Sequence, residues 1–264
     1  MKYFIQLITA SYLVATLAAC TKDTTVTQST AKAVVEAYLT PNQNINVSVT
    51  KEIVLSTTDS VVTQQAIDGL TVQIANNGKT YTLKGAGLGN YQGDSTLKVI
   101  AGQTYSLQFI YNGNTISAST MIPTKTDTFN SSANTIQAVA NGSPFTNIAS
   151  PVELTWSNPN NEYHIVVVQN TDLSPTPINP AHIGNRRFRN SPNQGTTYEL
   201  RPFSFQYFGN YLLLLYKLNP EYASLYNDNG NTSQNLTPPY SNVTNALGIF
   251  TGVNIDTLNF TVTR

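Results

Sequence analysis

The sequence predicts an all-β protein of the sandwich type. Its 264 residues include 15 Gly, 13 Pro and 15 Tyr, and only 11% of them carry a charge. Val, Ile, Thr and Tyr alternate with polar residues over many short stretches, as expected of half-buried strands. Turns rich in Gly, Asn and Pro separate most of these stretches, which is typical of β-sandwiches.

The first half of the chain carries about seven such stretches, enough for one sandwich. Asn76-Asn77-Gly78-Lys79 predicts a tight hairpin, because Asn and Gly adopt the positive φ angles that two-residue hairpin turns require. Pro123 ends the series, so we expect a first module over residues 31–123. The candidate strands are 33–39, 46–55, 70–74, 81–83, 97–100, 105–111 and 115–118.

Residues 124–142 are polar and show little pattern, which predicts a linker before a second module over 143–264. The unbroken apolar run 211–216 indicates a strand covered on both faces. Asn219-Pro220-Glu221 has the features of a helix start, and a short helix is expected near 219–228. The other candidate strands are 152–156, 163–168, 198–200, 203–207 and 258–262.

These elements predict two consecutive immunoglobulin-like or fibronectin-like β-sandwich modules, the second with one short helix. Trp156 lies in a Leu-Thr-Trp stretch similar to the buried tryptophan strand of fibronectin-like sandwiches, and we expect it in the core.

The N-terminus has the order of a secretory signal peptide. Lys2 precedes an apolar stretch over 3–17, and Leu17-Ala18-Ala19-Cys20 resembles the processing site of bacterial lipoproteins. We expect a signal peptide over 1–19, lipidation of Cys20 and a polar tether over 20–30. Because Cys20 is the sole cysteine, a disulfide within the chain and a metal site built on thiolates are both excluded.

Charge argues against nucleic acid as a partner. Removal of residues 1–19 takes away Lys2 and no acid, which leaves 14 − 1 = 13 basic and 14 acidic side chains. Nucleic-acid binding depends on clustered Lys and Arg, and a net charge of −1 does not provide them.

Several stretches resemble a family of Bacteroidota outer-membrane lipoproteins whose domain has no assigned function. They are residues 33–41 shortly after the lipidated cysteine, 89–91, 102–107, 116–123 and 239–252. Members are often encoded beside SusC-type TonB-dependent receptors. The resemblance therefore implies an outer-membrane lipoprotein, on either the periplasmic face or the cell surface, that acts as a binding or accessory component of a TonB-dependent transport system. It supplies no catalytic or ligand residues.

No pattern predicts catalysis, a cofactor or a metal site. His164 and His182 lack neighbouring ligands at metal-binding spacing, and His164 is interpreted as a structural residue of a Val-rich strand. The acids are scattered, so a glycosidase pair has little support. We expect a protein that is not an enzyme.

The sharpest local feature is Arg186-Arg187-Phe188-Arg189, in a charge-poor chain. Three guanidinium groups around an aromatic ring can hold a carboxylate, a phosphate or a partner backbone. The other interpretation is an ordinary solvated loop whose arginines bind no ligand. The Tyr and Phe residues between 198 and 226 are expected to pack in the core rather than to stack on a ligand.

Two other functions stay open. One is a structural or adhesive cell-surface protein with no transport partner, and the other, less favoured, is a carbohydrate-active enzyme.

Overall fold

The computed structural model describes residues 31–53, 64–138, 150–181, 183–226 and 240–264. These residues are mostly β-strand with one short α-helix, so the predicted all-β class is confirmed. The predicted signal peptide, Cys20, the tether and His182 lie outside the described residues.

The first half contributes eight of the described strands. They are β1 (Ala33–Leu39), β2 (Asn46–Lys51), β3 (Gln73–Asn76), β4 (Lys79–Thr82), β5 (Lys84–Gly87), β6 (Asn90–Gln92), β7 (Thr104–Tyr111) and β8 (Asn114–Met121).

The second half contributes shorter and longer strands, a 3-10 turn and helix α1. They are β9 (Phe129–Ser131), β10 (Thr135–Gln137), β11 (Val152–Trp156), β12 (Tyr163–Asn170), β13 (Arg187–Arg189), β14 (Thr197–Leu200), the 3-10 turn Pro202–Ser204, β15 (Gly209–Leu218), α1 (Pro220–Ser224) and β16 (Leu247–Thr263).

Within the described ranges the strands form three sheets. A large sheet has the order β13-β12-β15-β16-β1-β2-β6-β5, with β10 also paired to β16. A four-stranded sheet has the order β4-β3-β7-β8, and a three-stranded sheet the order β14-β11-β9. Each small sheet contributes buried side chains to a core that it shares with part of the large sheet.

The first core lies between the β1-β2-β6 part of the large sheet and the four-stranded sheet. Val35, Val47 and Tyr91 enter it from the large sheet, and Ile74 and Leu107 from the other. All five are at most 1% exposed, which follows from the strict alternation of apolar and polar residues along these strands.

The second core lies between the three-stranded sheet and the β12-β15-β16 part of the large sheet. Leu154, Trp156 and Leu200 contribute from the small sheet, and Val168 and Leu213 from the large one. The burial of Trp156, 4% exposed, confirms its predicted place in the core.

Strand β16 connects the two cores. Its first residues pair in parallel with β1, and the rest pair antiparallel with β15. Phe250 is buried in the first core, whereas Phe260 is buried in the second. Gly248 has φ +105°, and a side chain there would overlap the carbonyl oxygen of Val35, so glycine allows β1 and β16 to approach.

The structure therefore divides differently from the predicted modules 31–123 and 143–264. Residues 31–264 form one compact unit, and Val243, Ala246 and Phe250 from the second half are buried in the first core. The predicted linker 124–142 contributes β9 and β10 in its described part, because these short polar segments pair with β11 and β16.

Local predictions have mixed outcomes. The hairpin at 76–79 is confirmed, with Asn77 at φ 48° and Gly78 at φ 73° between β3 and β4.

The predicted strand 203–207 is wrong, because Pro202 begins a 3-10 turn there. The predicted strand 97–100 contributes only one isolated bridge, at Lys98. The expected helix near 219–228 is confirmed as the shorter Pro220–Ser224, and residues 227 and 228 lie outside the described residues.

Candidate functional site

Strands β12 and β15 carry two opposite apolar faces. Val166, Val168 and Leu213 point into the second core. Ile165 and Val167, which alternate with them, belong to a separate cluster on the other face. Side chains alternate along a strand, so each of these two strands supplies both faces.

The same alternation divides the arginine cluster. Arg187, Phe188 and Arg189 form β13, an edge strand paired with β12. The Phe188 ring packs edge-on against Phe205, 5.7 Å between centroids, on the side of the second core. The Arg186 guanidinium donates to the carbonyl oxygen of Asp172. The predicted arrangement of three guanidinium groups around the Phe188 ring is therefore wrong, since neighbouring side chains in a strand point to opposite faces.

Arg187 and Arg189 instead line a groove over the second apolar face. The groove has a volume of about 350 Å³ and is half open to solvent. We call it the Arg–Tyr groove. Its lining residues are Ile165, Val167, Arg187, Phe188, Arg189, Tyr216, Leu218, Tyr222 and Tyr226.

Arg189 is held against Tyr226. Its guanidinium carbon lies 4.9 Å from the centre of the Tyr226 ring, and one guanidinium nitrogen donates to the Tyr226 hydroxyl. A cation over an aromatic face is attracted by the electron density of the ring, so this contact orients the charge towards the groove.

An aromatic row extends from Tyr226 towards β1. The Tyr222 and Tyr226 rings lie 5.6 Å apart and their hydroxyl oxygens 3.2 Å apart. Tyr38 of β1 meets Tyr222 edge-on at 5.7 Å. The three tyrosines thus form one wall that crosses from α1 to the large sheet.

The hydroxyl groups of Tyr38 and Tyr222 stay protonated at neutral pH. Burial, followed by the negative charge and hydrogen bonding of Glu36, raises the pKa of Tyr38 to about 12. Burial and the hydrogen bond with Tyr226 raise the pKa of Tyr222 further above its usual range. Both groups are therefore neutral hydrogen-bonding groups rather than bases.

Helix α1 is fixed in place by polar contacts on its first turn. One Glu221 carboxylate oxygen accepts hydrogen bonds from the Thr120 hydroxyl at 2.9 Å and the Thr251 hydroxyl at 3.1 Å. The Asn219 amide donates to Thr120 and to the Met121 carbonyl oxygen rather than capping the helix. These contacts place Tyr222 over the sheet.

The expectation that the aromatic residues of 198–226 pack in the core is only partly correct. Phe205 and Tyr211 are buried, but Tyr216, Tyr222 and Tyr226 are half-buried and line the groove. The spacing of Tyr222 and Tyr226, four residues apart at a helix end, is the signal that places two rings side by side.

His164 lies in the closed core, as its place in a Val-rich strand predicts. It is 1% exposed, its Nδ1 lies 3.1 Å from the Glu162 carbonyl oxygen, and its ring is 5.7 Å from that of Trp156. Burial lowers the pKa of His164, which keeps the ring neutral at pH 7.

Two features are absent from the described residues, a metal-binding cluster and a membrane-spanning helix. No group of three or more His, Cys, Asp or Glu side chains in this part of the chain is arranged to hold a metal ion. None of the described helices combines the length and hydrophobicity needed to cross a bilayer.

Comparison with known proteins identifies the family of the chain. No curated protein matches the chain. Residues 21–259 match the family described as "Domain of unknown function (DUF4249)", which covers almost all of the described structure. The chain therefore belongs to the DUF4249 family.

Proposed function

We propose that this protein is a lipid-anchored outer-membrane protein that binds a ligand without changing it chemically. In this role it serves as an accessory component of a TonB-dependent transport system. The observation that carries the binding function is the Arg–Tyr groove, in which two guanidinium groups and three tyrosine rings surround an apolar floor. Ligand pockets commonly combine such a floor with a few polar groups that fix orientation.

The chemistry of the groove favours binding over catalysis. Guanidinium groups stay protonated in proteins, and the raised pKa of Tyr222 keeps its hydroxyl neutral. General acid–base catalysis is most effective when the pKa of the catalytic group lies near the working pH. The groups of this groove are suited to donating hydrogen bonds and to stacking.

The anchoring part of the proposal is supported by the sequence. Leu17-Ala18-Ala19-Cys20 follows a basic and then an apolar stretch, and residues 21–30 are polar. The transporter part is supported by the resemblance to lipoproteins encoded beside SusC-type receptors. Membership of the DUF4249 family agrees with a protein whose domain has no assigned reaction.

Mass spectrometry of natively expressed protein tests the anchor. We expect a mature chain that begins at an acylated Cys20 and fractionates with the outer membrane. Cys20→Ser removes the only thiol, so the variant should leave the membrane fraction. An unmodified residue 20, or a leader still attached, would contradict the anchoring proposal.

Capture of the C-terminally tagged protein in mild detergent tests the transporter role. We expect a β-barrel of the TonB-dependent class in about equal amount, and an unrelated lipoprotein with the same tag should capture none. If Cys20 is acylated and no such barrel is recovered, the transporter role is wrong and the structural or adhesive alternative takes its place.

A further inference from the structure

We propose that the Arg–Tyr groove binds a small ring compound that carries a carboxylate. This inference names the ligand class of the binding function proposed above and rests on it. The carboxylate would lie at Arg187 and Arg189. The ring would lie over the apolar floor, against the side chains of Tyr216 and Tyr222.

The positive charge of the groove favours an anionic ligand. Arg187 and Arg189 are two residues apart on one strand, which puts their backbones about 6.7 Å apart with both side chains on one face. Among the described residues no carboxylate pairs with either, whereas Arg201 pairs with Glu199 at 2.7 Å. A carboxylate has two oxygens, and each can accept from a guanidinium group.

The Arg187 guanidinium is available for this contact. It is exposed, and in the part of the chain that the structure describes its side chain donates no hydrogen bond. Arg189, by contrast, is already oriented by the Tyr226 ring and hydroxyl. The groove therefore combines one fixed and one adjustable cation.

The rest of the groove is built for a ring. Ile165, Val167 and Leu218 form a floor, and each is at most 3% exposed. Tyr216 and Tyr222, which are half-buried, line the groove beside this floor. Flat apolar surfaces, either an aromatic ring or the C–H face of a sugar, pack well against tyrosine rings.

The size of the groove limits the ligand. A volume of about 350 Å³ lies at the lower end of the range for small-molecule sites. This volume suits one ring with its substituents rather than a polymer. A bare anion would satisfy the arginines and make no use of the half-buried tyrosine rings, whereas a neutral sugar would contact those rings and leave the charges unpaired.

The test is a binding titration of the detergent-solubilised full-length protein followed by nuclear magnetic resonance. The probes are glucuronate for an acidic sugar, benzoate for an aromatic acid, glucose for a neutral ring, and acetate and inorganic phosphate for anions without a ring. We expect one or both ring carboxylates to bind, with glucose and acetate at least about tenfold weaker, a difference of roughly 1.4 kcal/mol.

Two variants locate the site. Arg187→Gln should raise the dissociation constant of the bound ring acid by about tenfold, because it removes a charge-assisted hydrogen bond. Arg201→Gln removes the same charge away from the groove and should leave the dissociation constant unchanged. Because Arg187 and Arg201 are both exposed and the Arg201–Glu199 pair lies at the surface, the melting temperature of both variants should match that of the wild type.

Three results would overturn the inference. They are no binding of either ring carboxylate, equal affinity in wild type and Arg187→Gln, or acetate or phosphate binding as tightly as the ring acids. Which ring acid binds separates a sugar source from an aromatic one. The titration needs no transporter, so a failed capture experiment with intact ligand binding would reject the transporter role alone.

Discussion

The two faces of strands β12 and β15 share a backbone but have different surroundings. One face packs against the three-stranded sheet and is closed. The other is covered in part by helix α1 and leaves the Arg–Tyr groove half open. Leu213 is 0% exposed on the closed face, whereas the adjacent Leu214 is half-buried on the groove face.

This difference shows that hydrophobicity alone does not mark a core. Both faces are rich in Val, Leu and Tyr, and the run 211–216 alone predicts burial on both sides. What distinguishes the faces is the element that lies on each of them. A closed face gives stability, and the half-covered apolar face beside two cations is the one on which we propose that a ligand binds.

The largest expected effect comes from removing side-chain volume on each face in turn. Leu213→Ala should lower the free energy of unfolding by about 2–5 kcal/mol, because it leaves a cavity in a dry core. Leu214→Ala should cost less, because its side chain is already partly in water. Urea unfolding of the two variants measures both, and equal losses would mean that the groove face is as closed as the core.

A smaller effect is expected from removing one tyrosine hydroxyl on each face. The buried Tyr211 hydroxyl donates to the Tyr207 carbonyl oxygen at 2.8 Å, so Tyr211→Phe leaves that oxygen without its partner and should cost about 1–3 kcal/mol. Tyr222→Phe removes a hydrogen bond to another half-buried hydroxyl and should cost less than about 1 kcal/mol. Thermal unfolding checks the order, and a larger loss for Tyr222→Phe would contradict it.

The smallest expected effect is a pH dependence of the free energy of unfolding, which comes from His164 on the closed face. The pKa of His164 is lowered by burial, with a further contribution from the charge of Lys217, while the Glu162 carbonyl opposes it. In the unfolded chain this group titrates near its usual pKa of about 6.5. As the pH falls below that value, His164 becomes protonated in the unfolded chain but stays neutral in the folded protein. The free energy of unfolding therefore decreases.

Melting curves of the wild type and His164→Phe at pH 7.5 and 5.5 measure this contribution. The wild type should lose more stability on acidification than the variant. An equal loss would assign the pH dependence to groups other than His164.

Much of the fold can be predicted from the sequence where the cause is local. Alternation predicts β1, β7 and β11, and Asn77-Gly78 predicts the hairpin because its positive φ angles are a property of those residues. The pairing of β1 with β16 is not local. No feature within residues 33–39 indicates that their partner lies at 247–252.

The candidate site, too, can be predicted from the sequence only where its causes are local. The sequence singles out Arg187 and Arg189 because charged residues are rare in this chain. It does not indicate that Tyr222 faces them, since that depends on how α1 is held by Thr120 and Thr251. The division of Phe188 from Arg187 and Arg189 follows from strand alternation, once residues 187–189 are known to form a strand.

Strand β16 also determines when the protein can fold. In a chain that emerges N-terminus first, from a ribosome or from an export channel, β1 is available long before the segment that completes one of its edges. Until then that edge exposes unpaired backbone groups, which can pair with other chains. The chain therefore passes through a vulnerable interval that ends only when Leu247–Gly252 becomes available, and factors that hold unfolded chains apart would act within it.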